Sequence, residues 1–303
     1  MAADEVRPGG VLGVIGDVVE DVVVLMRAPF AAGSDTPSHI VRRRGGSAAN
    51  VAEAAYALVP TRFFGCVGDD DAGRRLARDL KAFAHLQVTN RATTGAIVVL
   101  VDANGERHMF PDRGANLWLE SIEDAPLQDL AALHVTAYSL QGGVTADTVT
   151  SAMTRVSEWG GVTSLDVSSA ALITQIGAGR LLEIIGEMRP TILMANEAEA
   201  ALLGWDVLGA SPNPSLVIVK RGARPALVRT PLGAWEVPTT PLNVTDTTGA
   251  GDAFAAGVLA HVITKGLTAQ ALLAGDESLA VALAQAGHRR AAVRVAATSR
   301  LSR

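Results

Sequence analysis

Residues Asp246-Thr-Thr-Gly-Ala-Gly-Asp-Ala-Phe254 lead directly into an apolar run that reaches Ile263. Glycines just ahead of such a run mark a turn into a buried helix, where backbone N–H groups converge without obstruction by a Cβ. The positive end of the helix adds to them, so the turn suits an anion. Asp252 falls in the first helical turn, beside that anion position. There its carboxylate can take a proton from an attacking hydroxyl while the N–H groups hold charge on a transferring phosphoryl group. Taken alone, a glycine-rich turn with an acidic cap is also an ordinary helix start. Two other phosphate motifs do not fit. A dinucleotide fingerprint needs Gly or Ala where Phe254 stands, and the chain has no Gly-Lys-Ser/Thr for a P-loop.

Upstream of this turn, from Ala131 onward, short apolar runs alternate with helical patterns. Strands are expected at His134–Tyr138, Thr163–Val167, Thr191–Met194 and Leu216–Val219, with helices near 145–158, 177–188 and 196–203. Such alternation favours parallel strands joined by crossover helices. Ala226–Arg229 and Ala234–Val237 read as a hairpin, and two C-terminal helices are expected at Gly251–Ile263 and Thr268–Ala286. The N-terminal part begins with a buried strand at Val11–Ile15 ending at Gly16. An Ala-rich helix follows at Gly46–Leu58 with Ser47 near its start as cap, then a strand at Arg62–Val67. Asp69-Asp70-Asp71 opens a helix from about Ala72 to Phe83, acids suiting the positive end of the helix. Leu86–Asn90, Thr94–Val101 and Arg107–Phe110 read as short strands with an Asn104-Gly105 turn. With Val22–Arg27 and Ser38–Arg43 they suggest a small β-sheet built from insertions at about 22–43 and 86–112. The expectation is a single α/β domain over 1–303 with this appendage.

Composition narrows the function classes. The 303 residues carry 49% hydrophobic and 19% charged side chains, as in an ordinary globular protein. A formal net charge of −5 argues against a nucleic-acid or anionic-membrane partner, which would need a basic face. One cysteine, Cys66, excludes an intrachain disulfide and suits a reducing compartment, so a cytoplasmic location is expected. The six histidines fall at no metal-ligand spacing. Asp17, Glu20 and Asp21 interrupt the apolar stretch Val11–Met26, so neither a signal peptide nor a spanning helix fits.

At this point the sequence resembles the PfkB/ribokinase family of carbohydrate kinases. The family signature D-T-x-G-A-G-D-x-F is complete at Asp246–Phe254. Gly45-Gly46 with Asn50 matches its G-G-x-x-x-N, and Gly65…Gly68-Asp69-Asp70…Gly73 its G-x-x-G-D-D-x-x-G. Asn196 with Glu199 matches N-x-x-E, Val219-Lys220 with Gly222 matches V-K-x-G, and Gly16…Asp21 the initial G-x-x-x-x-D. These segments follow the family's order over about residues 11 to 290. The resemblance implies a ribokinase-like three-layer α/β/α domain with a mainly parallel central sheet. The small β-sheet would be its lid over the substrate.

The resemblance also implies residue roles. Asp252 is the expected catalytic base, and the N–H groups of Gly249, Ala250 and Gly251 the anion hole for the γ-phosphate of ATP. Asp21, Gly45, Gly46 and Asn50 are expected at the acceptor, since a carboxylate and an amide recognise vicinal hydroxyls directionally. Asn196 and Glu199 are expected to organise Mg²⁺ and phosphate, with Glu199 acting through water. Lys220, Gly222 and Thr248 would lie near the nucleotide. Asp246 and Thr248 stand where many family members bind a monovalent cation such as K⁺. Each motif has a plainer reading: Asn196 with Glu199 is an ordinary capping box, and Asp21 a strand-edge charge.

The acceptor stays open. Ribokinases often carry Gly-Gly-Lys-Gly-Ala-Asn where this chain has Gly-Gly-Ser-Ala-Ala-Asn, which puts ribose in doubt. Fructose-like sugars, sugar acids and nucleosides remain. An aromatic clamp for a base is not evident, though Phe30, Phe110 and Trp118 lie in or after the lid segments. His108, Arg113 and Asn116 are further candidates for acceptor contacts. A homodimer through the lid is left open by the resemblance. A non-catalytic sensor of the same fold would be expected to lose Asp252, which is present. A dinucleotide-dependent oxidoreductase would need a glycine fingerprint that Gly13-Val-Ile-Gly16 does not supply.

Overall fold

A computed structural model of the chain describes residues 10–102, 104–204, 216–240 and 247–301. The N-terminal half gives β1 (Val11–Ile15), β2 (Val19–Met26), β3 (Ser38–Gly45), α1 (Ser47–Tyr56), β4 (Thr61–Gly68), α2 (Asp71–Leu80), β5 (Ala84–Thr89), β6 (Ala96–Val101) and β7 (Arg107–Asp112). Then come α3 (Ala125–Gln128), β8 (Leu130–Thr136), α4 (Gly143–Glu158), β9 (Val162–Asp166), α5 (Ala170–Ile176), α6 (Ala178–Met188), β10 (Ile192–Asn196) and α7 (Glu197–Leu203). The C-terminal part holds β11 (Leu216–Lys220), β12 (Ala226–Thr230), β13 (Gly233–Val237) and three helices. These are α8 (Ala250–Lys265), α9 (Ala269–Leu273) and α10 (Glu277–Leu301).

Nine strands form one sheet in the order β13-β12-β11-β10-β9-β8-β1-β4-β5. Every pair from β11 to β5 is parallel, and the hairpin β12–β13 closes the other edge antiparallel. Helices cover both faces, which is why the strands read as continuous apolar runs rather than alternating ones. Within β10, Ile192 and Met194 enter the core under α1, α8 and α10, while Leu193 and Ala195 enter the core under α4 and α6. α8 is buried from Ala253 to Ile263 apart from His261, as an all-apolar helix must be. Truncating its Phe254, which packs edge-on against His288, would cost about 3–5 kcal/mol.

A second sheet runs β3-β2-β6-β7. It is smaller than expected: Ala84–Thr89 pairs in parallel with β4 at the edge of the large sheet, not with β6. The reason is the α2 crossover, which returns the chain parallel to β4, whereas β6 pairs with β2. Two other expectations shift. The helix expected at Thr268–Ala286 is broken, because Asp276 accepts a hydrogen bond from the Leu279 N–H (3.2 Å) and starts α10 afresh. The short helix α5 was not anticipated. No helix among the described residues is long and apolar enough to cross a membrane.

Candidate active site

All the parallel strands end on one edge of the large sheet, where ligands of such sheets bind. Thr136 ends β8, Asp166 ends β9, Asn196 ends β10 and Lys220 ends β11, while Asp17 follows β1 by two residues. The chain leaves β1 between neighbours β4 and β8, so the strand order diverges there and opens a crevice.

Into that crevice comes the start of α8. Gly249 caps it in the left-handed conformation (φ 75°), which an L side chain adopts only at a cost. The Ala250 N–H donates to the Thr247 carbonyl (3.0 Å), so one of the three N–H groups expected in the anion hole is engaged within the turn. Asp252, three residues past the cap, is clasped by α1. Ser47 Oγ donates to its Oδ1 (2.7 Å) and Asn50 Nδ2 donates to its Oδ2 (2.9 Å). Burial pushes the Asp252 carboxyl up to about 6, although both hydrogen bonds and the Lys220 charge favour the ionised form.

Ser47 is therefore not the helix cap that its position suggested. The carboxylate of Asp17 does that work, accepting from the Ser47 and Ala48 N–H groups at 3.1 and 3.2 Å. Thr136 Oγ1 donates to the same carboxylate (3.3 Å), and Arg113 lies 3.7 Å away. Gly46 permits this cradle: its φ is 99°, and a Cβ there would stand 2.4 Å from the Asp17 carbonyl oxygen. Asp21 sits beside Gly45, where a Cβ would meet its Oδ1, and 3.6 Å from Arg43. Burial raises the Asp21 pKa, opposed by the charges of Arg43 and Arg44.

On the other side of α8, the Lys220 ammonium is bonded to the Asp166 carboxylate and lies 3.5 Å from where a Gly251 Cβ would be. Burial alone would lower the Lys220 pKa, but the Asp166 carboxylate outweighs it and the net direction is up. Glu199 is buried, and burial followed by the nearby Asp166 raises its pKa. Asn196 and Glu199 form a full capping box: Glu199 accepts from the Asn196 N–H (2.8 Å) and Nδ2 (2.6 Å), and Asn196 Oδ1 accepts from the Glu199 N–H (2.9 Å).

The structure thus gathers Asp252, Gly249, Gly251, Asn50, Gly46 and Lys220, with Glu199 and Asn196 one strand end further. Gly222 is exposed in the turn after β11, and no described contact brings it to α8. Thr248 is held from two sides, its hydroxyl by Arg107 and its carbonyl by Arg294 Nε at 3.4 Å. Asp246, its expected partner at a cation site, lies outside the described residues. Asn116 is a structural clamp rather than an acceptor contact: its amide is spent on the Val18 N–H and carbonyl and on the Arg113 carbonyl. His108 and Phe110 point to the face of the small sheet opposite Asp21, by strand alternation from Arg107. Phe30 is 71% exposed, and Trp118 lies under the Arg91 guanidinium. Sequence reading missed Asp17 and Asp166. The available signal was a carboxylate at the carboxyl end of an apolar strand.

Comparison with known proteins identifies the family. A family model described as pfkB family carbohydrate kinase matches residues 12–297. An ATP-dependent ribose-1-phosphate kinase of Halopiger xanaduensis is 31% identical over 268 residues, covering 85% of this chain and 86% of that protein. A fructokinase of Klebsiella pneumoniae is 28% identical over 288 residues, covering 89% and 91%. Among solved structures, fructokinase from Xylella fastidiosa with bound ATP superposes with a TM-score of 0.77 at 24% identity, covering 91% of this chain and 89% of that one, which establishes the shared ribokinase-like fold. With a family match over nearly its whole length, the chain belongs to the PfkB family of carbohydrate kinases and is a phosphotransferase.

Proposed function

We propose that this chain transfers the terminal phosphoryl group of ATP to a hydroxyl of a small sugar or sugar-derived acceptor, with Asp252 as general base. The observation that carries this reading is the Asp252 carboxylate, clasped by Ser47 and Asn50 beside a glycine turn and pushed up to a pKa of about 6. A base of that strength is ionised at neutral pH yet accepts a proton more readily than an exposed aspartate. The names of the relatives, an ATP-dependent ribose-1-phosphate kinase and a fructokinase, support ATP as donor and a sugar-like acceptor.

ATP supplies the phosphoryl group when bound; the rest is positioning and charge. Gly249 and Gly251 present the start of α8 to the developing charge, and the Lys220 ammonium lies beside it. Asp252 receives the acceptor's proton. Asp21, Gly45, Gly46 and Asn50 line the approach from the small sheet and hold the acceptor. That sheet acts as a lid which keeps water from competing for the phosphoryl group.

The chain's residues fit Mg²⁺ only through its hydration shell. Among the described residues no group of three or more His, Cys, Asp or Glu could hold a metal ion, and both Glu199 oxygens already accept from Asn196. Phosphate oxygens and water would supply most ligands, with Glu199 and Asp166 as outer acceptors.

The test is ADP release from ATP–Mg²⁺ over a panel of fructose, ribose, ribose 1-phosphate, sugar acids and nucleosides. Asp252→Asn should retain ATP binding and lower turnover of the best acceptor at least about 10³-fold. Near-normal turnover in that variant removes Asp252 as the base.

A further inference from the structure

The half-exposed His261 of α8 opens into a groove between α10 on one side and α1 with the turn after it on the other. The lower part of the groove is a cavity of about 330 Å³, whose lining includes Leu58, Ala260, His261, Arg289, Arg290 and Val293. The upper part, of about 270 Å³, reaches Asn50 and Gly249, and Arg290 and Val293 line both parts. Ala286, Arg290, Val293 and Ala297 recur at helical spacing, so one face of α10 forms this wall. Gly257 lets the wall stand close. A Cβ there would lie 2.4 Å from the Ala286 carbonyl oxygen and 2.9 Å from the Arg290 Cβ.

The charges of the groove are of one sign. Neither α8 after Asp252 nor α10 after Glu277 contains an acidic residue. Among the described residues, no carboxylate pairs with Arg289, Arg290 or His261. The carboxylate that lines the upper part, Glu53, is held by Arg44. Arg290 is half-buried, and its Nε is buried without a hydrogen-bond partner. A guanidinium that only solvates a surface keeps such an N–H in water; buried, it costs free energy until an acceptor reaches it. Burial, followed by the charges of Lys265 and Arg289, holds the His261 pKa below its ordinary value, so these cations crowd one another.

We propose that this groove binds a phosphate monoester with a small apolar substituent, outside the catalytic crevice. Arg289, Arg290 and His261 take the phosphate, and Leu58, Ala260 and Val293 receive the apolar part. Two guanidinium forks match the charge and the several oxygens of a dianion, which a monocarboxylate would leave half used. The site is distinct from the phosphate turn, since Gly251 and Lys220 line neither part of the groove.

Titration calorimetry of the full chain with phenyl phosphate tests this, because that probe has no alcohol for a kinase to phosphorylate. MgADP is kept in excess to occupy the catalytic crevice. One probe should bind per chain, more tightly than either inorganic phosphate or phenol. Arg290→Gln should weaken binding about tenfold. Arg289→Gln, on the exposed side of α10, should weaken it in the same direction and serves where Arg290→Gln does not fold. Absence of saturable binding, or binding that survives both substitutions, overturns the proposal. Equal affinity for phenol would remove the phosphate contacts, and equal affinity for inorganic phosphate the apolar ones; either result overturns it as well.

Discussion

The hydroxyl of Ser47 donates to Asp252 Oδ1 at 2.7 Å, joining the first turn of α1 to the first turn of α8. This bond favours the ionised carboxylate against the burial that opposes it. It is available because Asp17 takes over the capping of α1 and frees the serine side chain.

Removing that bond should change the pH profile. Ser47→Ala deletes an interaction that lowers the Asp252 pKa, so the acid limb of kcat/KM, expected near pH 6 in wild type, should move towards neutrality. Activity should fall about tenfold at pH 6 and much less at pH 8. A pH series on the best acceptor checks it; a uniform loss at every pH would mean Ser47 acts on geometry alone.

Asp252 should also cost stability. Its carboxyl is raised from an ordinary value of 3.8 to about 6. Between those values the folded protein holds a proton that the unfolded chain has released, so this group's contribution falls as pH rises through that window. Asp252→Asn removes the effect. Relative to wild type, the variant should gain on the order of 2 kcal/mol between pH 4 and pH 7. Urea unfolding at the two pH values measures it. A pH-independent offset from the lost Asn50 bond is expected and cancels in the comparison.

The Lys220–Asp166 pair is largely buried, with side chains 14% and 6% exposed. Lys220→Met leaves the Asp166 carboxylate without its partner and should destabilise the fold by about 3–5 kcal/mol. Adding Asp166→Asn should return most of that stability. Nucleotide binding should not return with it, since the ammonium beside Gly251 is still missing. Thermal denaturation and calorimetry on the three variants separate the two effects.

Gly46→Ala should be far more damaging than an alanine in a loop. It places a Cβ 2.4 Å from the Asp17 carbonyl oxygen at a φ of 99°. A loss of more than about 1–3 kcal/mol is expected, together with loss of acceptor binding, because the Asp17 cradle positions Ser47. Gly160→Ala, also at positive φ but with open space around it, is the control for backbone strain without collision.

Much of this was legible in the sequence because single segments carried complete physical instructions. The glycine turn followed by an all-apolar run could only start a buried helix, and α8 begins one residue from the expected position. Asn196 and Glu199 read as a capping box and form one. β5 was misplaced because an edge strand of a large sheet, exposed along one side, shows the same half-buried pattern as a strand of the small sheet. Asp17 and Asp166 left only a faint signal, since a lone carboxylate after an apolar strand acquires full meaning only when other strands end beside it. Ser47 was read by its position in the helix, but its side chain answers to a residue on another helix.

The Ser47–Asp252 clasp spans 205 residues of chain, and α8 covers the same core face as α1. During synthesis the N-terminal sheet segment emerges long before its covering helix exists. Closing so long a loop is entropically slow, and the alanine face of α1 stays open until then. An incomplete chain therefore presents the Ser47 and Asn50 donors without the Asp252 carboxylate they clasp, and the alanine face of α1 without its cover.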